Sequence, residues 1–508
     1  MIRSSLVALL ALAFRLTAAI DDPVRVDSGL LSGIAGSSPE VRVFKGIPFA
    51  APPVGDLRWR PPQAPAPWQG VRAAGKFSGE CMQTPYPEGS IFHSAAQPMS
   101  EDCLYLNVWT AARSAGERRP VMVWIHGGAL TRGSGSIPTY DGEEPARKGV
   151  VLVTINYRLG VFGFLAHPEL TRESPHHSSG AYGFLDQVAA LEWVHRNIAQ
   201  FGGDPARVTI FGESAGSWSV NVLVATPLAK GLFQRAIGES GGCFGRTPKL
   251  ARMEEAGVRI AQSAGADSLS ALRAKPADEL LKVQGGFVAG EDGWVLPKDV
   301  HAIFAAGKQN DVPLLIGSNA GEGTAFTQPS VTAESFRERA KGFGAMTDAF
   351  LKLYPAGSDH EAWDSQAAVI RDQTFGWEMR TWARMQTATG KSKVYLYYFS
   401  RVPPGPGSAR YGAYHASEIP YVFHNLNPGR RPWEAVDRAL ADTVSSFWVN
   451  FAATGDPNGK GLPEWPAYQG KSDLALELGD HVEPRATPHK AALDFFDAWF
   501  SSLRKANQ

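Results

Sequence analysis

Gly212-Glu213-Ser214-Ala215-Gly216 is the segment best suited to chemistry. It follows the apolar, partly β-branched run Arg207-Val208-Thr209-Ile210-Phe211, which reads as a buried strand. It leads into Ser217-Trp218-Ser219-Val220-Asn221-Val222-Leu223, which reads as a helix. A Ser held between two Gly-x steps at a strand-to-helix turn is a nucleophile elbow. The turn is sharp, so small neighbours must let other backbone approach. The hydroxyl then projects at the C-terminal edge of the sheet, beside a helix N-terminus that favours developing negative charge. The same pattern also makes an ordinary tight turn; the strand and helix flanks favour the elbow.

A Ser nucleophile needs a base to take its proton and an acid to orient that base. In this arrangement the chain order is Ser, then Asp or Glu, then His. His360, His415, His424, His481 and His489 follow Ser214 with an acid available between. His360 follows Ser358-Asp359, which reads as a helix cap. His481 and His489 lie near the tail in segments read as lacking strand character, and His424 trails His415 closely. His415 is best placed, because it follows the strand Lys393–Phe399 through the Pro/Gly-rich loop Val402–Gly412. For the acid, Leu314-Leu315-Ile316-Gly317 reads as a buried strand running into a turn, with Glu322 just beyond. His126-Gly127-Gly128-Ala129 follows the strand read at Pro120–Ile125. Glycines there let backbone approach a substrate, so the N–H groups of Gly128 and Ala129, with that of Ala215, are candidates to hold an oxyanion. His126 is read as fixing that loop. Trp218, Phe326, Phe375 and Trp377 are each read as core, although an acyl pocket is the alternative. His176-His177 reads as polar loop, and no metal-ligand cluster stands out.

These residues need a frame. Strands are expected at Leu104–Trp109, Pro120–Ile125, Val150–Ile155, Arg207–Phe211, within Leu232–Ile237, at Pro313–Gly317 and at Lys393–Phe399. Helical stripes lie at Phe184–Ile198 and Ala435–Phe451. Strands alternating with helices predict an α/β fold with a mainly parallel sheet covered on both faces. Val24-Arg25-Val26 and Val41-Arg42-Val43-Phe44 predict a small N-terminal antiparallel sheet beside it. The chemical residues run from about 126 to 415, which requires that span to be one folding unit, so residues 20–508 are read as a single domain.

The 508 residues carry 50 basic and 50 acidic side chains, a balance with no footprint for nucleic acid. Met1-Ile2-Arg3, the apolar run Leu6–Phe14 and Thr17-Ala18-Ala19 make signal-peptide architecture over residues 1–19, although Arg15 ends the run with a charge. The run is too short to span a bilayer. The expectation is an exported protein, periplasmic or secreted, beginning near Ile20. Of three cysteines, Cys81 and Cys103 flank a Pro/Gly/Ser-rich loop. A bond between them would stabilise by about 3 kcal/mol in the chain-entropy model; three buried thiols is the alternative.

Taken together, these blocks resemble the type B carboxylesterase and cholinesterase-like family of α/β-hydrolases. Further blocks carry the resemblance: Phe44-Lys45-Gly46-Ile47-Pro48-Phe49-Ala50, Ser100-Glu101-Asp102-Cys103-Leu104-Tyr105-Leu106-Asn107-Val108-Trp109, Asn156-Tyr157-Arg158-Leu159-Gly160, Phe201-Gly202-Gly203-Asp204-Pro205 and Gly455-Asp456-Pro457-Asn458. The resemblance implies an α/β-hydrolase fold and a serine carboxylester hydrolase acting on a small-molecule ester without cofactor or metal. It implies Ser214 as nucleophile, Glu322 as acid, His415 as base, Gly128, Ala129 and Ala215 as oxyanion donors, and a Cys81–Cys103 disulfide. Ala129 stands where many members have Gly. Glu213 and Ser240 resemble polar residues around the catalytic His, with plain packing as the alternative. Met82–Asp102 contains no Trp, so the aromatic platform of cholinesterases is missing. A specialised aryl, feruloyl or polyester-type esterase is an alternative that the sequence does not separate. A non-catalytic binding domain is a third reading, opposed by retention of all three residues.

Overall fold

The computed structural model describes residues 20–505 except 96, 246, 284, 286–289 and 427–430; the leader read at residues 1–19 lies outside them. Sixteen strands are assigned among the described residues. The first seven are β1 (Val24–Val26), β2 (Gly29–Ser32), β3 (Ile34–Ala35), β4 (Arg42–Pro48), β5 (Val71–Ala73), β6 (Glu80–Cys81) and β7 (Met99–Ser100). Then come β8 (Tyr105–Thr110), β9 (Arg119–Ile125), β10 (Val151–Ile155), β11 (Gly203–Glu213), β12 (Arg235–Glu239), β13 (Leu314–Asn319), β14 (Val394–Phe399), β15 (Leu474–Leu478) and β16 (Val482–Ala486).

Eleven of them form one sheet in the order β16-β15-β14-β13-β12-β11-β9-β10-β8-β4-β3. The run from β10 through β9, β11, β12, β13 and β14 to β15 is parallel. The margins β8, β4, β3 and β16 pair antiparallel. Central strands are apolar on both faces because both are covered. On β9, Val121, Val123 and Ile125 enter one core, while Met122 and Trp124 enter the other, the two-residue period of a pleated strand. The helices Tyr182–Asn197 and Ala215–Ala225 place Leu191 and Leu223 in the first core. The helix Ala435–Thr454 places Leu440, Val444, Phe447 and Phe451 in the second. No helix of the described residues is long and apolar enough to cross a membrane.

Two expectations need correction. The small N-terminal sheet is mixed: β1 pairs antiparallel with β2, but β2 pairs parallel with β5. The segment Val41–Phe44 does not join it; β4 pairs with β8 in the main sheet, with a register shift between Phe44 and Ile47. The reason is burial on both sides, with Val43 in one core and Phe44 and Ile47 in the other. The tail also has strand structure, since His481 sits in the turn between the paired strands β15 and β16. Strand β16 is largely exposed and charged, so it lacks the apolar alternation that marks a strand in sequence.

Candidate active site

Ser214 sits between β11 and the helix Ala215–Ala225 with φ 58° and ψ −121°. That is a sparsely populated conformation for a side chain with a Cβ, of the kind held only when surrounding bonds over-determine it. Here the Ser214 N–H donates to the Glu239 carbonyl at 2.8 Å, and its own carbonyl accepts from Trp218 N–H at 2.9 Å. Gly216 makes the turn possible: a Cβ there would lie 2.0 Å from the Ile125 carbonyl oxygen at the end of β9. Ala215 is the first residue of the helix, so its N–H lies in the turn that has no intrahelical acceptor.

The loop after β9 supplies the facing wall. Gly128, Ala129 and Leu130 all have positive φ, at 105°, 56° and 58°. Such a run turns successive backbone groups into an anion-accommodating concavity. His126 anchors it: Nδ1 lies 2.8 Å from the Gly127 carbonyl and the ring stacks 4.5 Å from Tyr157. Burial pushes the His126 imidazole down to about 4, so it stays neutral.

His415 and Glu322 arrive from two loops bridged to one another. The Gly321 N–H donates to the Ala413 carbonyl at 2.8 Å, and the Asn319 side-chain amide donates to the Tyr414 carbonyl at 3.0 Å. His415 Nδ1 then lies 2.5 Å from Glu322 Oε2, with His415 3% and Glu322 0% exposed. The other Glu322 oxygen accepts the Asn319 N–H at 2.8 Å. On the opposite edge of the ring, His415 Nε2 lies 3.1 Å from Glu213 Oε1. Phe375, Phe326 and Phe92 surround the imidazole at 4.6, 5.0 and 6.2 Å between ring centres. Phe375 comes from a π-helical turn at Ile370–Gly376, a feature frequent at functional sites.

Ser214, His415, Glu213, Gly127, Gly128 and Ala129 open onto one cleft of about 500 Å³. No hydrogen bond joins Ser214 Oγ to His415 among the described residues; in unliganded enzymes such contacts are commonly loose. Burial, then the neighbouring Glu418, Glu322 and Glu239, push the Glu213 carboxyl well above the usual range. Burial and Glu322 push Glu418 up to about 8, although Asn319 donates to it. Glu239 is raised by burial and then Glu418, and it accepts the Trp448 indole N–H at 2.8 Å. Burial and mutual repulsion beneath His415 thus favour the neutral form of Glu213, Glu239 and Glu418.

Ser240 is buried at the end of β12 with φ 57°, and its N–H donates to the Gly317 carbonyl at 2.8 Å. Its hydroxyl makes no hydrogen bond to a described residue. Cys81 and Cys103 are bonded, and the loop they close contributes Tyr86 and Phe92 to the cleft. Cys243 is unpaired. Among the four aromatics read as core, Trp377 is 1% exposed, but Phe326 is 42% exposed and lines the cleft. From the Pro/Gly-rich loop, Pro406 lines the cleft. Sequence reading missed Glu239 and Glu418; the spacing His415-x-x-Glu418 at a turn was the available signal for the second. Nothing local marked Tyr140, Arg431 or Trp433, which also line the cleft. No group of three or more metal-ligating side chains occurs among the described residues.

A family model described as the carboxylesterase family matches residues 21–496. The chain is 40% identical to the fumonisin B1 esterase of Sphingopyxis macrogoltabida, over 93% of this chain and 89% of that one. It is 37% identical to the para-nitrobenzyl esterase of Bacillus subtilis (strain 168), covering 87% and 92% of the two chains. It is also 37% identical to the liver carboxylesterase of Sus scrofa, covering 90% and 88%. A solved PNB esterase structure superimposes with a TM-score of 0.82 at 34% identity, covering 93% of this chain and 99% of that one. The likeness thus runs over nearly the whole chain, and the chain belongs to the carboxylesterase family.

Proposed function

We propose that the protein is an exported serine carboxylester hydrolase that works through Ser214, His415 and Glu322 and an acyl-enzyme. One observation carries this reading: His415, buried and held at 2.5 Å by Glu322, shares a cleft with a Ser in the strained elbow conformation. Ser214 Oγ attacks the ester carbonyl carbon as its proton passes to His415 Nε2, and the carbonyl electron pair moves onto oxygen. The N–H groups of Gly128, Ala129 and Ala215 hold that oxyanion. Glu322 fixes the Nδ1–H tautomer and stabilises the imidazolium. The carbon–alkoxy bond then breaks as His415 returns the proton to the leaving oxygen. Water repeats both steps on the acyl-enzyme, releasing the acid and free Ser214.

A protonated Glu213 fits this cycle. A neutral carboxyl there adds no second negative charge beside the ring, and Nε2 stays free to take the Ser214 proton. Export is supported by the leader pattern at residues 1–19 and by the disulfide, which persists in oxidising compartments. The relatives are named for esters of quite different shape, so no individual substrate is carried over from them.

The test is turnover of p-nitrophenyl acetate, butyrate and octanoate by wild type and Ser214→Ala. Wild type is expected to turn over at least one, with a fall of about 10⁴-fold or more in the variant. An active-site phosphonate should add one covalent mass on Ser214. Retained activity in the variant would overturn the mechanism. For export, the intact mass of the protein recovered outside the cytoplasm should begin near Ile20.

A further inference from the structure

Among the residues that line the cleft, Arg431 is the one that carries a permanent positive charge. Its guanidinium donates to the Pro404 carbonyl at 3.1 Å and to the Tyr414 hydroxyl at 3.0 Å, both neutral oxygens. It forms no ion pair with any described carboxylate. Three of the five guanidinium N–H groups are left without a described partner. The contrast with Arg401, just after β14, is direct: Arg401 is neutralised by Glu434, Asp437 and Asp480. Glu434, three residues beyond Arg431, is thereby occupied elsewhere.

The carboxyl lining the cleft does not offset this charge. Glu213 is turned to His415, with Oε1 3.1 Å from Nε2, and makes no ion pair with Arg431. Aromatic and apolar side chains make up much of the remaining wall, including Tyr86, Phe92, Ile137, Phe326 and Trp433. A half-buried guanidinium without an ion pair among the described residues, set in such a wall, favours a planar anion that accepts two parallel hydrogen bonds.

We propose that Arg431 is a specificity-determining residue that selects esters bearing a carboxylate in addition to the scissile bond. The preference rests on the esterase reading and adds the substrate class. Arg431 sits beside Tyr414, which directly precedes His415, so a bound carboxylate also seats the ester near the base.

The experiment compares charged esters with neutral twins: mono-4-nitrophenyl adipate with 4-nitrophenyl hexanoate, and 4-acetoxybenzoate with 4-acetoxybenzamide. The first pair places the charge on the acyl side and the second on the alcohol side. Values of kcat/KM are measured for wild type, Arg431→Gln and Arg431→Lys at low and high salt. In at least one pair, Arg431→Gln should lower kcat/KM of the charged member about tenfold further than that of its twin, the size expected for a charge-assisted hydrogen bond. Arg431→Lys should recover part of that difference, and salt should shrink it in wild type. Arg431 also holds Pro404 and Tyr414, so a purely structural role would lower both twins alike. An equal loss in both pairs, or no loss, overturns the proposal. Wild type inactive on all four esters, or turning them over independently of Ser214, would instead overturn the esterase reading and the proposal with it.

Discussion

The floor and the roof of the cleft are built on different principles. The floor, Ser214 and the Gly128–Ala129 loop, rises directly from adjacent strands β11 and β9, and its strained dihedrals are held by short-range backbone contacts. The roof is assembled from distant loops: Tyr86 and Phe92 from the disulfide-closed loop, Phe326 beyond Glu322, and Arg431 and Trp433 from beyond His415. The floor positions atoms that must be placed within fractions of an ångström. The roof supplies shape and charge, which tolerate variation. Rate should therefore respond to the floor, and choice of substrate to the roof.

The sharpest way to break that division is at the junction, where Glu322 meets His415. Glu322→Gln should keep the fold but cost about 10³–10⁴-fold in kcat, because the amide can present its N–H to Nδ1 and favour the wrong tautomer. A loss confined to KM would place Glu322 with the roof instead. Opening the roof should act differently. Cys81→Ser with Cys103→Ser should cost about 3 kcal/mol of stability, read by denaturant unfolding, and should raise KM more than it lowers kcat. An equal fall in kcat would tie that loop to the chemistry.

Smaller effects should follow from Phe326→Ala. The ring is 42% exposed in the cleft and packs on His415 and Phe375. Its removal should shift the acyl-chain-length profile by a factor of about 3–10, the range for a modest change in apolar contact. A uniform loss over all chain lengths would mean that the ring serves His415 rather than the acyl group.

The smallest expected effect concerns the support under the floor. Glu378 accepts the N–H groups of Phe244 and Gly245, and burial pushes it up to about 7 from 4.5. A carboxyl whose folded pKa is raised binds more protons folded than unfolded across that interval. Its contribution to stability therefore falls as pH rises from about 4.5 to about 7. Glu378→Gln should flatten that slope, seen as a smaller difference in Tm between pH 5 and pH 8 than wild type shows. An unchanged slope would mean that Glu378 stays ionised when folded.

Legibility followed the same division. The residues of the floor could be picked out because each answers a local constraint. Ser214 must sit in a tight turn between strand and helix, Gly128 must take a positive φ, and β9 and β13 must be apolar on both faces. Such demands act over a few residues and leave a pattern in order and spacing. The strand β4 was misassigned because its partner β8 lies far along the chain, and pairing choice is not a local property. Phe326 and Trp377 carry the same kind of apolar signal, yet one faces the cleft and the other the core.

The sequence by itself determined the strand–turn–helix elbow, the alternation that builds a parallel sheet, and the order Ser214, Glu322, His415. Only the tertiary structure decided that Glu213 meets the far edge of His415, that Glu239 and Glu418 crowd beneath it, and that Arg431 stands in the cleft wall without an ion pair among the described residues. Local backbone geometry is encoded by neighbours in the chain. Desolvation, charge crowding and the lining of a cavity are sums over residues that meet only after the chain has folded.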